Sequence, residues 1–236
     1  MIGSKSRTYV AASFGSLETC VKKKCLEVGI MNLQFRRAGP GDVEEAIPLI
    51  YSSGPHEYDY TFAVGRHRVL DFLRTAFVDG SSTVGYGSHV VAVADGHVVG
   101  IGAFHDGAKY ERANRKVMYP VVRFYGPLTG WGVLRRGMDL QQELMPSPKR
   151  GDLYVQNLGV SVDMRGRGLG TALLRNQIDP ARSKGFRRCI LDVAVTNPRA
   201  QALYERLGFR VVEERKSRFT NSTVHVPDMR RLEMLL

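Results

Sequence analysis

The architecture turns on residues 158–172, LGVSVDMRGRGLGTA. A β-branched run leads into a loop that holds Arg165, Gly166, Arg167, Gly168 and Gly170, and a helical pattern follows. Glycines in such a turn let successive backbone N–H groups converge and let a ligand approach the chain closely. The helix start adds unpaired donors and a partial positive charge, so the turn has the makings of an anion cradle suited to a pyrophosphate. The alternative reading of the glycines is a plain strand-to-helix turn. No Gly-Lys-Ser/Thr follows, so the loop is not a Walker loop. The spacing Gly166-x-Gly168-x-Gly170 also departs from the Gly-x-Gly-x-x-Gly dinucleotide fingerprint.

The next stretch downstream, 191–209, reads LDVAVTNPRAQALYERLGF. Its apolar, β-branched start is a strand ending near Asn197. Pro198 stands at the first position of a helix, where its missing N–H costs nothing, and Gly208 closes it. Asn197 and Tyr204 lie seven apart, about two helical turns, and so can face one ligand. Each has an ordinary structural reading as well: Asn197 as a helix N-cap, Tyr204 as an aromatic whose hydroxyl stays wet.

Together the two stretches resemble the GNAT superfamily of acyl-CoA N-acyltransferases. Residues 165–170 match that family's Arg/Gln-x-x-Gly-x-Gly/Ala loop in full. Asn197-x-x-Ala200-x-x-Leu203-Tyr204-Glu205-x-Leu207-Gly208-Phe209 matches its second motif, beginning 27 residues after Gly170. The detailed likeness covers about residues 153–217. It implies a mixed α/β fold: a central, mostly antiparallel sheet, splayed between two parallel strands (153–160 and 188–195) and flanked by helices. Acetyl-CoA, or another acyl-CoA, would lie in the opening as cosubstrate. Its pantetheine arm would pair with backbone at Leu158 and Val160 and with the Asn197 side chain. Its pyrophosphate would rest on the N–H groups of Arg165, Gly166, Arg167, Gly168, Leu169, Gly170 and Thr171. Tyr204 would act as general acid toward the departing thiolate while a primary amine attacks the thioester directly.

Many family members carry a glutamate on the first of the splayed strands to deprotonate the amine. Strand alternation places Tyr154, Gln156, Leu158 and Val160 on one face, so the corresponding residue here is Gln156, which cannot take a proton. The base is therefore open among Glu57, Asp59, His56, Asp192 and a water chain ordered by Gln156 and Asn157. The same gap supports an alternative, a non-catalytic acyl-CoA-binding sensor or regulatory module.

Working outward, the front half reads as a strand at 33–37, a helix from Val43 behind Asp42, and a stop at Ser52-Ser53-Gly54-Pro55. A polar-aromatic loop over His56–Tyr60 follows, then a helix over 69–78. Two strands, 89–94 and 98–104, flank Asp95-Gly96, a strong hairpin signal. Residues 107–150 read as a basic helical insertion with a largely solvated face; Tyr119, Phe124, Tyr125 and Trp131 suggest that part of it packs on the domain or builds a pocket wall. Helices at 170–183 and 198–207 and strands at 188–195, 209–215 and 230–235 complete a single domain over 31–236. Residues 1–30, with a short strand-like run at 8–14, read as an extension outside the core.

The net charge is +11, distributed as +3 over 1–31, −4 over 32–106, +6 over 107–150 and +6 over 151–236. The basic second half suits a phosphorylated cosubstrate, and the acidic front half suits a cationic amine. No apolar run approaches the roughly 20 residues of a membrane-spanning helix, so no membrane partner is expected. Aromatic RNA-binding signatures and a helix-turn-helix pattern are absent, so nucleic acid is not the expected partner. Cys20, Cys25 and Cys189 make no disulfide framework and the histidines are scattered, which points to a reducing, cytoplasmic setting and no metal. The acceptor, whether small molecule, peptide or protein, and a homodimer are left open.

Overall fold

The computed structural model describes residues 33–65 and 67–236. The short strand at 8–14, the extension over 1–30, Met31, Cys20 and Cys25 lie outside the described residues. Among the described residues, seven strands form one sheet: β1 (Leu33–Arg37), β2 (His89–Ala94), β3 (His97–Asp106), β4 (Asp152–Val160), β5 (Arg188–Ala194), β6 (Arg210–Arg215) and β7 (Met229–Leu235). Their order is β1-β2-β3-β4-β5-β7-β6. Only β4 and β5 run parallel; every other pair is antiparallel. The hairpin between β2 and β3 turns through Asp95 (φ 50°) and Gly96 (φ 86°), the paired positive angles that a tight two-residue turn requires.

Helices α1 (Val43–Ser52), α2 (Pro55–Phe62), α3 (Val69–Asp79), α4 (Gly107–Arg115), α5 (Met118–Tyr125) and α6 (Pro127–Leu144) precede β4. Helices α7 (Leu169–Ser183) and α8 (Pro198–Arg206) follow it. One apolar core gathers Ile47, Ile50, Phe72, Phe77, Val91 and Ile101 between α1, α3 and one face of the sheet. A second gathers Val155, Leu174, Ile178, Leu191 and Leu232 under α7 on the other. The first core requires a close approach, since a Cβ on Gly159 of β4 would stand 2.3 Å from the Leu49 carbonyl oxygen of α1. No described helix is long and apolar enough to cross a membrane.

Three features correct or sharpen the sequence reading. The His56–Tyr60 stretch is helical, not a loop: it forms most of α2, with Pro55 at its first position. Tyr58 and Phe62 are spaced one turn apart and stack in a row with Tyr51 and Phe72. That tertiary stack, more than the weak apolar periodicity of PHEYDYTF, holds the helix. The 107–150 insertion keeps a solvated outer face and packs on the domain through the side it turns inward, as its aromatics suggested, burying Tyr110, Val121, Tyr125, Val133, Leu140 and Leu144. Of its four singled-out aromatics, Tyr125 is buried and Phe124 packs on the core, while Tyr119 and Trp131 are exposed.

The third feature, a correction, concerns β4. Tyr154, Gln156, Leu158 and Val160 do not share a face. The register against β3 slips by one residue between Ile101↔Gly159 and Ala103↔Gln156, and Asn157 takes a positive φ of 53°. This β-bulge breaks strict alternation. Leu158 joins Val155 in the core under α7 and Val160 packs with Met164 and Leu169, whereas Tyr154 and Gln156 face the opposite side.

Candidate active site

Strands β4 and β5 form a V. They pair from Asp152↔Arg188 to Val155↔Leu191 and then part. An ion pair clamps the closed end: Arg188 donates to both oxygens of the buried Asp152 at 3.0 and 3.1 Å and also reaches Glu233 at 3.0 Å. Beyond Val155 the β5 side of β4 has no strand beside it, so backbone donors and acceptors of 156–160 line an open groove of about 730 Å³.

The glycine loop lies at the open mouth. Gly166 (φ 76°) and Gly168 (φ 83°) occupy the left-handed region that favours glycine, and a Cβ at either would meet open space. The first helical bond of α7 runs from the Ala172 N–H to the Gly168 carbonyl, so helix geometry leaves the preceding N–H groups to a ligand. Leu158, Val160, Arg165, Gly166, Gly168, Leu169, Gly170 and Thr171 all line the groove. Arg165 also bonds back to the Val160 carbonyl at 3.1 Å. The Arg167 side chain turns toward the Met164 sulfur instead, and Arg167 does not border the groove. The cradle therefore fits a pyrophosphate through its backbone and one arginine rather than two.

Asn197 and Tyr204 line the opposite wall. Asn197 does cap α8, accepting from the Ala200 N–H at 3.1 Å, which leaves its amide NH₂ for the groove. Tyr204 is buried, and desolvation pushes its phenol well above the ordinary value, so it stays protonated. Arg199 and Arg206 of α8 add positive charge to the same wall, two residues the motif reading passed over because they fill its variable positions.

At the point of the V, where β4 and β5 begin to part, the groove meets a second pocket of about 200 Å³; the two share Gly54, Glu57, Gln156, Asn157 and Asp192. The proton acceptors proposed from the sequence separate clearly here. Asp192 is engaged by Arg231 at 2.9 and 2.8 Å and by the Tyr154 hydroxyl at 2.8 Å. Asp59 accepts from Tyr51 at 3.0 and 3.1 Å and borders neither pocket. His56 is exposed. Glu57 lies in the first turn of α2 and borders both spaces. Burial raises its carboxyl above the usual range, an effect opposed by its own backbone N–H and by His56.

A polar chain holds the bulge between them. Tyr58 donates to Asn157 Oδ1 at 2.8 Å, and the Asn157 amide lies 3.1 Å from His89 Nε2. His89 Nδ1 is 2.9 Å from the Gly85 carbonyl, so Nδ1 carries the proton and Nε2 accepts. Burial lowers the His89 imidazole to about 4, keeping it neutral. His89 and Tyr58 escaped the sequence reading because each lies far from β4 in the chain.

The comparisons with known proteins agree with this geometry. The family model for the Acetyltransferase (GNAT) family matches residues 59–209. Mycothiol acetyltransferase of Corynebacterium glutamicum (strain R) is 45% identical over 67 residues, 28% of this chain and 22% of that protein. The ribosomal protein bS18-alanine N-acetyltransferase of Salmonella typhimurium is 36% identical over 69 residues, 29% of this chain and 47% of that protein. The chain thus spans less than half the length of either relative. The crystal structure of an N-acetyltransferase from Staphylococcus aureus Mu50 superposes with a TM-score of 0.62 at 18% identity, covering 85% of this chain and all of that one, which is a likeness of fold. A sheet opened between its two parallel strands, a glycine loop at the mouth of that opening and a family match over most of the described chain lead to one conclusion: this chain belongs to the acetyltransferase (GNAT) family.

Proposed function

We propose that the protein transfers an acetyl group from acetyl-CoA to a primary amine by direct attack, without a covalent enzyme intermediate. The observation that carries this reading is the meeting of two spaces at Glu57: a groove that ends in an anion cradle, and a small pocket with an acidic wall. The cradle of residues 165–171 would hold the pyrophosphate, and the free edge of β4 at Leu158 and Val160, with Asn197, would hold the pantetheine arm. The thioester would then lie where the strands part.

Glu57 takes the proton that the amine sheds. A carboxylate with a raised pKa, bordering both the donor and the acceptor space, suits that task. The amine nitrogen bonds to the thioester carbon, a backbone N–H of the opened β4 segment stabilises the oxyanion, and the carbon–sulfur bond breaks. Tyr204 protonates the leaving thiolate. The rest of the rate comes from holding amine and thioester together. The reading as a sensor rested on Gln156 being unable to accept a proton; Glu57 supplies that function from α2.

Thiol release from acetyl-CoA in the presence of a panel of amines tests the proposal. The wild-type protein should release thiol above background, and Glu57→Gln should lower kcat by about 10²–10⁴-fold with KM for acetyl-CoA unchanged. Bound acetyl-CoA with no thiol release for any amine would return the protein to the sensor reading.

A further inference from the structure

The far wall of the smaller pocket comes from the insertion between β3 and β4. Tyr110 of α4 and Gly137, Leu140 and Gln141 of α6 line it. The insertion is tied to the reacting strand through side chains. Asn114 donates to Gln141 at 2.7 Å, Gln141 donates to the Tyr110 hydroxyl at 3.2 Å, and Gln156 of β4 donates to the same hydroxyl at 3.5 Å. Two contacts to α2 brace the wall: the Tyr125 hydroxyl to the Phe62 carbonyl at 2.7 Å, and Arg136 to the Thr61 carbonyl at 3.3 Å.

The chemistry of the lining is specific. It contains two carboxylates, Glu57 and Asp192, and no lysine, arginine or histidine. Asp192 is already neutralised by Arg231, which leaves Glu57 as the one carboxylate without a cation. The remaining polar lining is neutral. Tyr110 accepts two amide hydrogen bonds and so has its own hydroxyl proton left to donate, and the Gln156 carbonyl oxygen is left to accept. The volume of about 200 Å³ falls below the roughly 300–1,000 Å³ of ordinary ligand pockets.

We infer that the acceptor is a small primary amine bearing neutral hydrogen-bonding groups such as hydroxyls, with neither a carboxylate nor a second cation, and that the Tyr110 hydroxyl, positioned by Gln141, reads those groups together with the Gln156 carbonyl oxygen. This rests on the transferase reading and specifies its substrate class. A carboxylate here would be buried beside Glu57 and Asp192 with no cation to meet it. A second ammonium would find no free carboxylate, since Asp192 is taken. A polypeptide chain would not fit within the pocket's volume of about 200 Å³.

The test uses five amines: ethanolamine, glucosamine, serine, putrescine and a short neutral peptide. Each is titrated by calorimetry into CoA-loaded protein and assayed by thiol release with acetyl-CoA. Ethanolamine or glucosamine should bind tighter and show kcat/KM higher than serine, putrescine and the peptide by about tenfold or more. Tyr110→Phe and Gln141→Leu should each raise KM for the hydroxylated amine by about tenfold while sparing KM for acetyl-CoA, a split that general loosening of the fold would not produce. A preference for serine, putrescine or the peptide in both readouts overturns the inference and leaves the transferase reading standing. The predicted binding order without thiol release leaves the pocket assignment standing and overturns transfer. No binding and no release overturns both.

Discussion

Glu57, the proposed base, also carries a cost. Its carboxyl is held above the ordinary value by burial, so the folded protein binds that proton more tightly than the unfolded chain. A carboxyl shifted this way favours folding below its unfolded pKa, and the advantage is lost as pH rises through the raised folded value. Glu57→Gln should therefore raise Tm at neutral pH and have little effect near pH 4; an equal Tm change at both pH values would contradict the burial argument. Tyr204 sits at the opposite pole, a phenol kept protonated by burial. Tyr204→Phe should lower kcat about a hundredfold with acetyl-CoA affinity preserved, read by rapid single-turnover kinetics. An unchanged chemical step would remove it as the acid.

Among the elements, β4 carries the most consequence per residue. Its bulge at Asn157 turns Gln156 toward the pocket and Leu158 toward the core, and its Gly159 admits the α1 backbone. Gly159→Ala drives a methyl group into the Leu49 carbonyl, and denaturant unfolding should show a loss of about 1–3 kcal/mol; a neutral result would mean that α1 shifts freely on the sheet. The bulge also marks where the sequence becomes hard to read. Strands, the Asp95-Gly96 hairpin and the glycine loop announce themselves through local periodicity and turn chemistry. A register slip does not, because it is set by pairing with β3 and by the Tyr58–Asn157–His89 chain, whose members lie 68 and 99 residues from Asn157. For the same reason α2 looked like a loop: its order comes from stacking on Tyr51 and Phe72, not from its own apolar pattern.

For the molecule as a whole, the opening between β4 and β5 was legible only through the family resemblance that two short motifs carry, not from their spacing alone. The residues named from those motifs line the groove, Arg167 excepted, but the side of the groove formed by residues 52–57 lies outside both. The proposed acceptor side was much less legible. It is assembled from α2, α4, α6, β4 and β5, and the polar links that join the insertion to β4 are contacts between elements distant in sequence. Charge follows the same division, with the basic second half around the cradle and the acidic front half supplying Glu57.

The central claim is that acetyl-CoA lies in the opening between β4 and β5 with its pyrophosphate on the loop before α7. Calorimetric titration of acetyl-CoA into the wild-type protein and into Gly168→Glu tests it most directly. Gly168 has φ 83° and open space at its Cβ, so glutamate brings backbone strain, bulk and negative charge into the cradle at once. The account predicts saturable binding to the wild type, and binding lost in a variant whose thermal melt is still cooperative. Equal binding by the folded variant, or no binding by the wild type at millimolar acetyl-CoA, would contradict it.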